Sequence, residues 1–517
     1  MTNIQDNEII AQALAGQEKR RTHYWNTYDS FIDMRLRWRA SLFRHLFHIL
    51  PGKSILEIGA GDGRFTRTLA RVTKGESPIT TVVFDRESEA ALKAMAKDYS
   101  VIKVVRADIF PGQLGADTFD YVIAHHMLEN ETRNLFLLNL KQLIKPGGGV
   151  LLFEPNPWNP YFRVRRLIKK VFPFISRRPD EPIYLNRIQM FSVMSEIGFT
   201  QINCLPYDFL YKPLPSKYIG FFQQVSLILE NFPYVRNFAG SLCIWANSPQ
   251  LKPMEQSYPD LAEHELFFKK VSFVVPCHNE EMNIPPLVNG LKQYFDSYIK
   301  EIVIVDDNST DLTAEVVNTL SASDERVRLV KRNPPNGVGR ALRDGLKNAT
   351  GDFVMLMDCD FQHSIPEIRD LFDQVARGAD GAIGSRFSRE SVLINYAFTK
   401  IMANRCFHLL ANLILGLRFR DVTNNFKLFR RRVLPSLTIE AHDFAANAET
   451  GLKPILAGFN IVEVPMSWVN RSTDMGFSTF RVFKTGPNYF TVLFKIVLQR
   501  FKNSLRWGKS SEPGQTG

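Results

Sequence analysis

Short apolar runs separated by helical segments predict a sheet in the second half of the chain. Residues 353–357 are five consecutive apolar residues between Gly351-Asp352 and a polar turn, as expected for a buried strand. Two more runs, 271–275 and 301–305, also end in polar or acidic residues. Parallel strands joined by helices bring their carboxyl ends to one edge, so these polar ends should surround one ligand.

The first half of the chain predicts a second sheet of the same kind. Apolar runs alternate with amphipathic helical segments, and the last run closes the sheet. The predicted strands are 54–59, 80–84, 101–105, 119–124, 150–154 and 241–246.

A glycine-rich turn follows the first predicted strand. Gly59, Gly61 and Gly63 let backbone amides approach a ligand closely where the strand turns into a helix. Asp85, at the end of the second strand, is placed to bond a ribose diol. Dinucleotide-binding folds use a similar loop, so the glycines alone do not separate a dehydrogenase from other nucleotide-binding enzymes.

Two further motifs separate them. The run from Phe119 to Glu129, and Leu143-Ile-Lys-Pro-Gly-Gly-Gly149 before the fifth strand, resemble class I S-adenosylmethionine-dependent methyltransferases. The resemblance covers roughly the first half of the chain and implies S-adenosylmethionine as cofactor. It implies contacts to the methionine part of the cofactor from Glu57, Gly59, Gly61 and Gly63, to the ribose from Asp85 and to the adenine from Asp108.

A histidine pair follows the fourth strand, where this fold places the methyl acceptor. His125 or His126 is a candidate to remove a proton from a sugar or phenol hydroxyl as the methyl group transfers. A purely structural histidine pair is the alternative.

The strand at 353–357 leads into a cluster of oxygen donors. Asp358, Asp360 and Gln362 suit Mg²⁺ or Mn²⁺, which would hold a diphosphate. An Asp-x-Asp pair by itself is equally typical of a solvated acidic turn, so the other strand ends decide the interpretation.

Together these strand ends resemble family-two glycosyltransferases of the GT-A fold, most closely the dolichyl- and polyprenyl-phosphate sugar transferases. The resemblance implies that Asp358, Asp360 and Gln362 bind the metal. It also implies that the sugar nucleotide contacts Pro276, His278, Glu280, Asp306, Asp307, Asp358 and Cys359.

The resemblance also implies catalytic groups. Arg386 and Arg471 would meet phosphate, Asp360 would act with the metal, and Asp421 would be the base if the acceptor were a hydroxyl. The sequence departs from the family in three places. His278 replaces a tyrosine, Asn425 replaces a glycine, and Thr479 stands where the family has a lysine, after two extra residues.

Charge and composition bear on partners and compartment. A net charge of +11 favours an anionic partner: a lipid head-group surface, a nucleotide or nucleic acid, the last without any supporting motif. Five scattered cysteines predict reduced thiols, and the polar start lacks a signal-peptide core. The predicted location is cytoplasmic, peripheral on the inner face of the membrane, with homo-oligomerisation left open.

Two segments mix apolar and basic residues at helical spacing. Residues 392–417 and 483–505 are predicted to lie in a bilayer interface and to receive the lipid phosphate, with core or dimer helices as the alternative.

The predicted fold class is therefore α/β, with two Rossmann-like domains and amphipathic interface helices. The predicted segments are a flexible lead (1–30), a methyltransferase with helical lid insertions (31–246), a linker (247–268), a GT-A glycosyltransferase (269–482), and an amphipathic helix with a disordered tail (483–517). The expected function is metal-dependent, inverting sugar transfer from a nucleotide donor to a polyprenyl phosphate, with methylation of a glycan or a related small acceptor. A lipid-linked glycan is a further expected partner. The alternative is extension of a polysaccharide at a hydroxyl, with the first domain a non-catalytic scaffold.

Overall fold

The computed structural model divides into two compact units, Met1–Glu255 and Gln256–Gly517. It describes residues 4–27, 29–112, 114–128, 132–161, 163–164, 184–210, 215–232, 234–249, 262–359, 365–394, 396–469 and 482–509. The two units are described separately.

The first unit is built on a seven-stranded sheet. Its strands are β1 (Ile55–Ile58), β2 (Ile79–Val83), β3 (Ile102–Arg106), β4 (Phe119–His125), β5 (Ile144–Pro155), β6 (Thr200–Tyr207) and β7 (Ser241–Asn247). The order is β3-β2-β1-β4-β5-β7-β6, with β1 to β5 mutually parallel and β7 antiparallel to both of its neighbours. This is the open α/β sheet predicted for the methyltransferase half.

The helices of the first unit include one that the sequence analysis did not predict. They are α1 (Ile4–Thr27), α2 (Asp29–Leu46), α3 (Arg64–Val72), α4 (Arg86–Ala96), α5 (Arg133–Leu143), α6 (Arg187–Ile197) and α7 (Ser216–Glu230). Residues 1–30 were predicted to be a flexible lead, but α1 buries Ile10 and Leu14 in the core of the sheet. This apolar burial stabilises α1 against the unit.

The second unit is built on a mixed seven-stranded sheet of order β10-β9-β8-β11-β14-β12-β15. Its strands are β8 (Val271–Cys277), β9 (Ile299–Asp306), β10 (Val327–Lys331), β11 (Phe353–Leu356), β12 (Gly381–Ser385), β14 (Lys427–Arg430) and β15 (Ile461–Pro465), and β13 (Val392–Ile394) pairs separately with β16 (Ser467–Val469). The strands β8 to β11 are parallel, and β14 is antiparallel to β11 and β12.

The helices of this unit pack on both faces of the sheet. They are α8 (Ile284–Phe295), α9 (Thr313–Ser323), α10 (Val338–Asn348), α11 (Ile368–Ala376), α12 (Phe398–Leu415), α13 (Ala446–Leu456) and α14 (Val482–Lys509). The predicted helical region 392–417 is a short strand followed by α12. Among the described helices, none combines the length and the hydropathy needed to cross a bilayer.

Both sheets have a point at which the strand order reverses, between β1 and β4 in the first and between β8 and β11 in the second. Helical crossovers leave this point in opposite directions, which opens a crevice at the carboxyl ends of the two strands. The glycine turn after β1 and the histidines after β4 lie at the first crevice, and His278 and Asp358 lie at the second. The predicted α/β class is confirmed in both units.

Candidate active sites

A cavity of about 510 Å³ lies at the strand reversal of the second unit. Its wall includes Pro276, His278, Glu280 and Asp307 at one end and Arg386 with residues of α12 and α14 at the other. This volume is typical of a site for a small organic ligand. The predicted nucleotide-side and phosphate-side residues are therefore brought together around one space.

The nucleotide end of the cavity is held by Asp307. Its carboxylate accepts a hydrogen bond from Gly337 N–H at 2.6 Å and pairs with Arg332, and its carbonyl oxygen lies 3.0 Å from His278 Nδ1. Asp306 is fully buried, and its Oδ1 accepts from Ser309 N–H at 2.9 Å. Asp307 thus ties the loops after β8, β9 and β10 together and fixes the floor of the cavity.

Asp358 is the described member of the predicted metal set. It lines the cavity, and its Oδ1 accepts from Asn425 Nδ2 at 2.7 Å. A half-buried carboxylate in this position is a suitable donor for a divalent cation. Asp360 and Gln362 lie outside the described residues, as does Arg471, so their predicted roles stay predictions.

Arg386 and Asp421 form a buried ion pair beside the cavity. The guanidinium binds the carboxylate through Nε at 2.7 Å and Nη2 at 2.9 Å, and Nη1 donates to Tyr396 Oη at 3.0 Å. Asp421 is wholly buried, and Arg386 holds its pKa far below the ordinary value although burial opposes this. A carboxylate so stabilised is a poor proton acceptor, so the geometry does not support the base role predicted for Asp421.

The far end of the cavity is lined by α12 and α14, which pack on each other. Lys400 and Asn404 of α12 face the cavity, and Asn404 Nδ2 donates to Asp421 Oδ1 at 3.2 Å. Burial lowers the pKa of Lys400, and the nearby charge of Arg386 lowers it further. Phe407 meets Tyr489 and Phe490 with ring centroids 5.7 and 6.1 Å apart.

In the first unit the predicted cofactor loop is covered by α1. Glu18 accepts from Gly61 N–H at 2.7 Å and from Phe84 N–H at 3.0 Å. Arg21 donates to the carbonyl oxygens of Gly59 and, at 3.0 Å, of His125. Glu18 is wholly buried and Arg21 is 4% exposed, so both charged side chains lie between α1 and the loop.

The two predicted acidic cofactor contacts differ in their surroundings. Asp85 caps α4, accepting from Ser88 N–H at 2.8 Å and from Ser88 Oγ at 2.6 Å. Asp108 is 74% exposed and pairs with Arg106 at 3.1 Å. Glu57, below the loop, is buried, which raises its pKa to about 7.

The histidine pair at the end of β4 is enclosed. His125 stacks on Phe153 at 5.2 Å and meets Phe65 and Trp25 edge-on. Burial lowers the pKa of both His125 and His126 well below the ordinary value. The positive charges of neighbouring arginines lower it further, and Arg39 has the largest effect among them. The aromatic cage of His125 is typical of a packing residue, and Nε2 of both His125 and His126 is buried without a hydrogen-bond partner among the described residues.

Sequence reasoning missed Glu18, Arg21 and Lys400. The first two sit in a polar segment in which nothing distinguishes a buried charge from a solvated one. Lys400 lies in the predicted interface segment 392–417, in which the sequence analysis names no single residue. The periodicity of α12 places Lys400, Asn404 and Phe407 on one face, and this spacing could have identified it.

Comparison with known proteins agrees with the division into two units. A family model for "Glycosyl transferase family 2" matches residues 272–438, and one for "Methyltransferase domain" matches residues 56–152.

The individual relatives have low sequence identity to this chain. A polyprenol monophosphomannose synthase of Mycolicibacterium smegmatis is 28% identical over 43% of this chain and 84% of its own length. A dolichol-phosphate mannosyltransferase of Pyrococcus furiosus is 29% identical over 38% of this chain, and the match spans 56% of that relative. The solved glucosyl-3-phosphoglycerate synthase of Mycobacterium tuberculosis is 18% identical over 46% of this chain and 84% of its own, with a TM-score of 0.35, too low to support any inference.

We expect the ion pair between Arg386 and Asp421 to stabilise the fold rather than to transfer a proton. We expect Asp421→Asn to lower the free energy of unfolding by about 3–5 kcal/mol, because it leaves a buried guanidinium uncompensated. Urea denaturation of the full chain measures this. Asp296→Asn, which breaks an exposed pair with Arg326, should cost less than about 1 kcal/mol. Unchanged stability with lost transfer to a hydroxyl acceptor would instead support the base role.

Proposed function

We propose, from a chain that joins a methyltransferase domain to a family 2 glycosyltransferase domain, that this enzyme transfers a sugar to a polyprenyl phosphate and methylates the resulting class of glycolipid. The single observation that carries the first half is the cavity of the second unit. It reaches from Asp307, at the predicted nucleotide end, to Lys400 on α12. The names of the two relatives, a polyprenol monophosphomannose synthase and a dolichol-phosphate mannosyltransferase, support the same acceptor class.

The charges at the far end of the cavity favour an anionic acceptor. Arg386 and Lys400 line this end, and Arg405 packs over Phe387 at 4.0 Å nearby. Asp421 neutralises Arg386. Burial lowers the pKa of His408 to about 4, so this neighbour is neutral. A phosphate would be attracted to the cations that line this end of the cavity.

A phosphate acceptor also removes the need for a base. It is already an anion at neutral pH and can attack the anomeric carbon directly, whereas a sugar hydroxyl must lose a proton. The predicted base, Asp421, is bound at both oxygens and buried. The arrangement therefore favours lipid phosphate over a hydroxyl acceptor.

The chain's residues would then act mainly by positioning. His278, Glu280 and Asp307 would hold the nucleoside, and Lys400 and Asn404 the attacking phosphate, so that a single displacement inverts the anomeric centre. Asp358, with Asp360 and Gln362, would hold Mg²⁺ or Mn²⁺, which stabilises charge on a leaving diphosphate. Asn425 would keep the Asp358 carboxylate oriented toward that site.

The exposed face of α12 and α14 suits a lipid surface. Leu409 is 70% exposed, Leu413 is 78% exposed, and Phe494 of α14 is 63% exposed. Lys495 and Arg500 lie on α14, and Arg500 Nη1 donates to Leu415 O at 3.1 Å. Apolar side chains interspersed with basic ones are typical of helices at an anionic bilayer interface.

The methyltransferase unit carries a second surface of this kind near its acceptor end. Asn156 and Asn159, just after β5, bind the backbone of residues 237–239 at 2.8–3.0 Å and so fix the segment that carries Tyr234 and Phe238. These aromatics and Phe221 are exposed, and Arg163, Lys217 and Arg236 are the nearby cations along the chain. A lipid-linked methyl acceptor would fit this surface.

Sugar transfer is tested with labelled sugar nucleotides, Mg²⁺ or Mn²⁺, and either polyprenyl phosphate or an oligosaccharide. We expect label in the lipid fraction, lost with chelator. Lys400→Gln should raise the KM for polyprenyl phosphate about tenfold or more with little change for the donor, because Lys400 faces the acceptor end. Lys347→Gln, exposed on α10, is the matched control. Label on the oligosaccharide alone would contradict the proposal.

Membrane association is tested by flotation of the full chain with vesicles containing anionic lipid. The double variant Leu409→Gln/Leu413→Gln should reduce the bound fraction at least severalfold, because each leucine buried in lipid contributes up to about 1.5–3 kcal/mol. Binding should also weaken as salt rises. Leu312→Gln, exposed elsewhere, is the control. Equal binding by the double variant and the wild type would exclude this face.

Methylation of a glycolipid is tested with S-adenosylmethionine labelled in its methyl group and the lipid product of the first assay. We expect label in the lipid fraction, reduced in Phe221→Ser/Tyr234→Ser but not in Leu138→Ser, a control on exposed α5 surface. If the protein methylated only unrelated water-soluble acceptors, the methyl acceptor would not be the product of sugar transfer, which would contradict this part of the proposal.

A further inference from the structure

Helix α1 fills the place of a ligand at the strand reversal of the first unit. The glycine turn after β1 borders this crevice, and Gly59, Ala60 and Gly61 are all buried. A Cβ on Gly61 would lie 2.2 Å from Thr22 Oγ1 of α1. The side chains of α1 therefore touch the loop itself, at the strand reversal where this fold class binds its ligands.

The contacts made by α1 use backbone groups that a cofactor would need. Glu18 takes the N–H groups of Gly61 and Phe84 with one carboxylate, which bridges the ends of β1 and β2. Arg21 gives its protons to the carbonyl groups of Gly59 and His125, which bridges the ends of β1 and β4. All four groups face the crevice in which this fold class binds its ligands.

The charges of Glu18 and Arg21 match those of the amino acid group of the proposed cofactor. S-adenosylmethionine carries an amino acid group with one ammonium and one carboxylate, and hydroxyls on its ribose. Ammonium and hydroxyl protons need carbonyl acceptors, while carboxylate and hydroxyl oxygens need N–H donors. Glu18 and Arg21 supply one anion and one cation to the same loop, so α1 satisfies these groups in the absence of the ligand.

The seam between α1 and the loop is not fully satisfied. Arg21 Nε, Thr22 Oγ1 and Gln17 Oε1 are buried without a hydrogen-bond partner among the described residues. Buried polar atoms without partners reduce the net stability of a contact. Separating α1 from the loop therefore costs less free energy than separating a fully hydrogen-bonded interface of the same size.

We propose that α1 is an internal competitor of the cofactor, held on the loop by Glu18 and Arg21, and that S-adenosylmethionine binds only when α1 leaves the loop. This inference rests on the proposed methyltransferase function. The measured affinity is then the intrinsic affinity reduced by the fraction of molecules in which α1 is displaced. Removing the contact of either Glu18 or Arg21 raises the fraction of molecules in which α1 is displaced from the loop.

The test is calorimetric titration of the full chain with S-adenosylhomocysteine. We expect Glu18→Ala to bind at least about fivefold more tightly than the wild type, the lower end of ordinary coupling between sites. Glu8→Ala is the matched control, since Glu8 is exposed on the same helix. It should bind like the wild type.

A second measurement needs no variant. Hydrogen exchange of the α1 amides in the wild type should become faster when S-adenosylhomocysteine is added, because the helix is displaced. Weaker binding by Glu18→Ala together with slower exchange would show that α1 clamps the cofactor and would overturn the proposal. Equal affinity of all three proteins would also overturn it. Absence of binding in every protein would refute the cofactor site, and with it the methyltransferase half of the proposed function.

Discussion

The backbone groups at the carboxyl ends of parallel strands must find partners, and both units depend on how this need is met. A strand reversal opens a crevice lined with N–H and carbonyl groups that no neighbouring strand can bond. In the second unit the side chain of Asp307 and the network of Asn279, Ser309 and Asp311 bond these groups from below and leave a cavity above. In the first unit Glu18 and Arg21 of α1 bond such groups instead, and α1 covers the glycine turn.

This difference explains why one glycine turn is open and the other closed. Gly337 is held against the carbonyl of His442 and donates to Asp307, so its tight backbone serves the floor of a cavity that remains accessible. Gly61 donates to a residue of α1 instead. A glycine loop alone therefore does not specify an accessible ligand site, because the same exposed amides attract carboxylates of the chain itself.

The sheets and their polar edges were predictable from sequence because strand burial produces local, contiguous apolar runs. The partners of buried charges were not, since they lie far apart in the chain: Arg386 pairs with Asp421 and Glu18 with Gly61. Glu18 and Arg21 occur among Gln17, Lys19 and Arg20, and a run of this polarity predicts a solvated segment. Only tertiary contacts reveal that one face of α1 carries its charges inward.

Asn425, at a position where the resemblance to family-two glycosyltransferases led us to expect a glycine, contacts the predicted metal site. Its amide donates to Asp358 Oδ1, so one carboxylate oxygen is fixed while the other remains available to a cation. Asn425 Oδ1, buried and without a partner among the described residues, adds an oxygen acceptor beside the same carboxylate. Lys427 is also buried close by, and burial lowers its pKa to about 7, so this neighbour carries only part of its charge at neutral pH. The result is a carboxylate that is oriented by a neutral amide and only partly opposed by the cation beside it, an arrangement that leaves its negative charge available to a divalent ion.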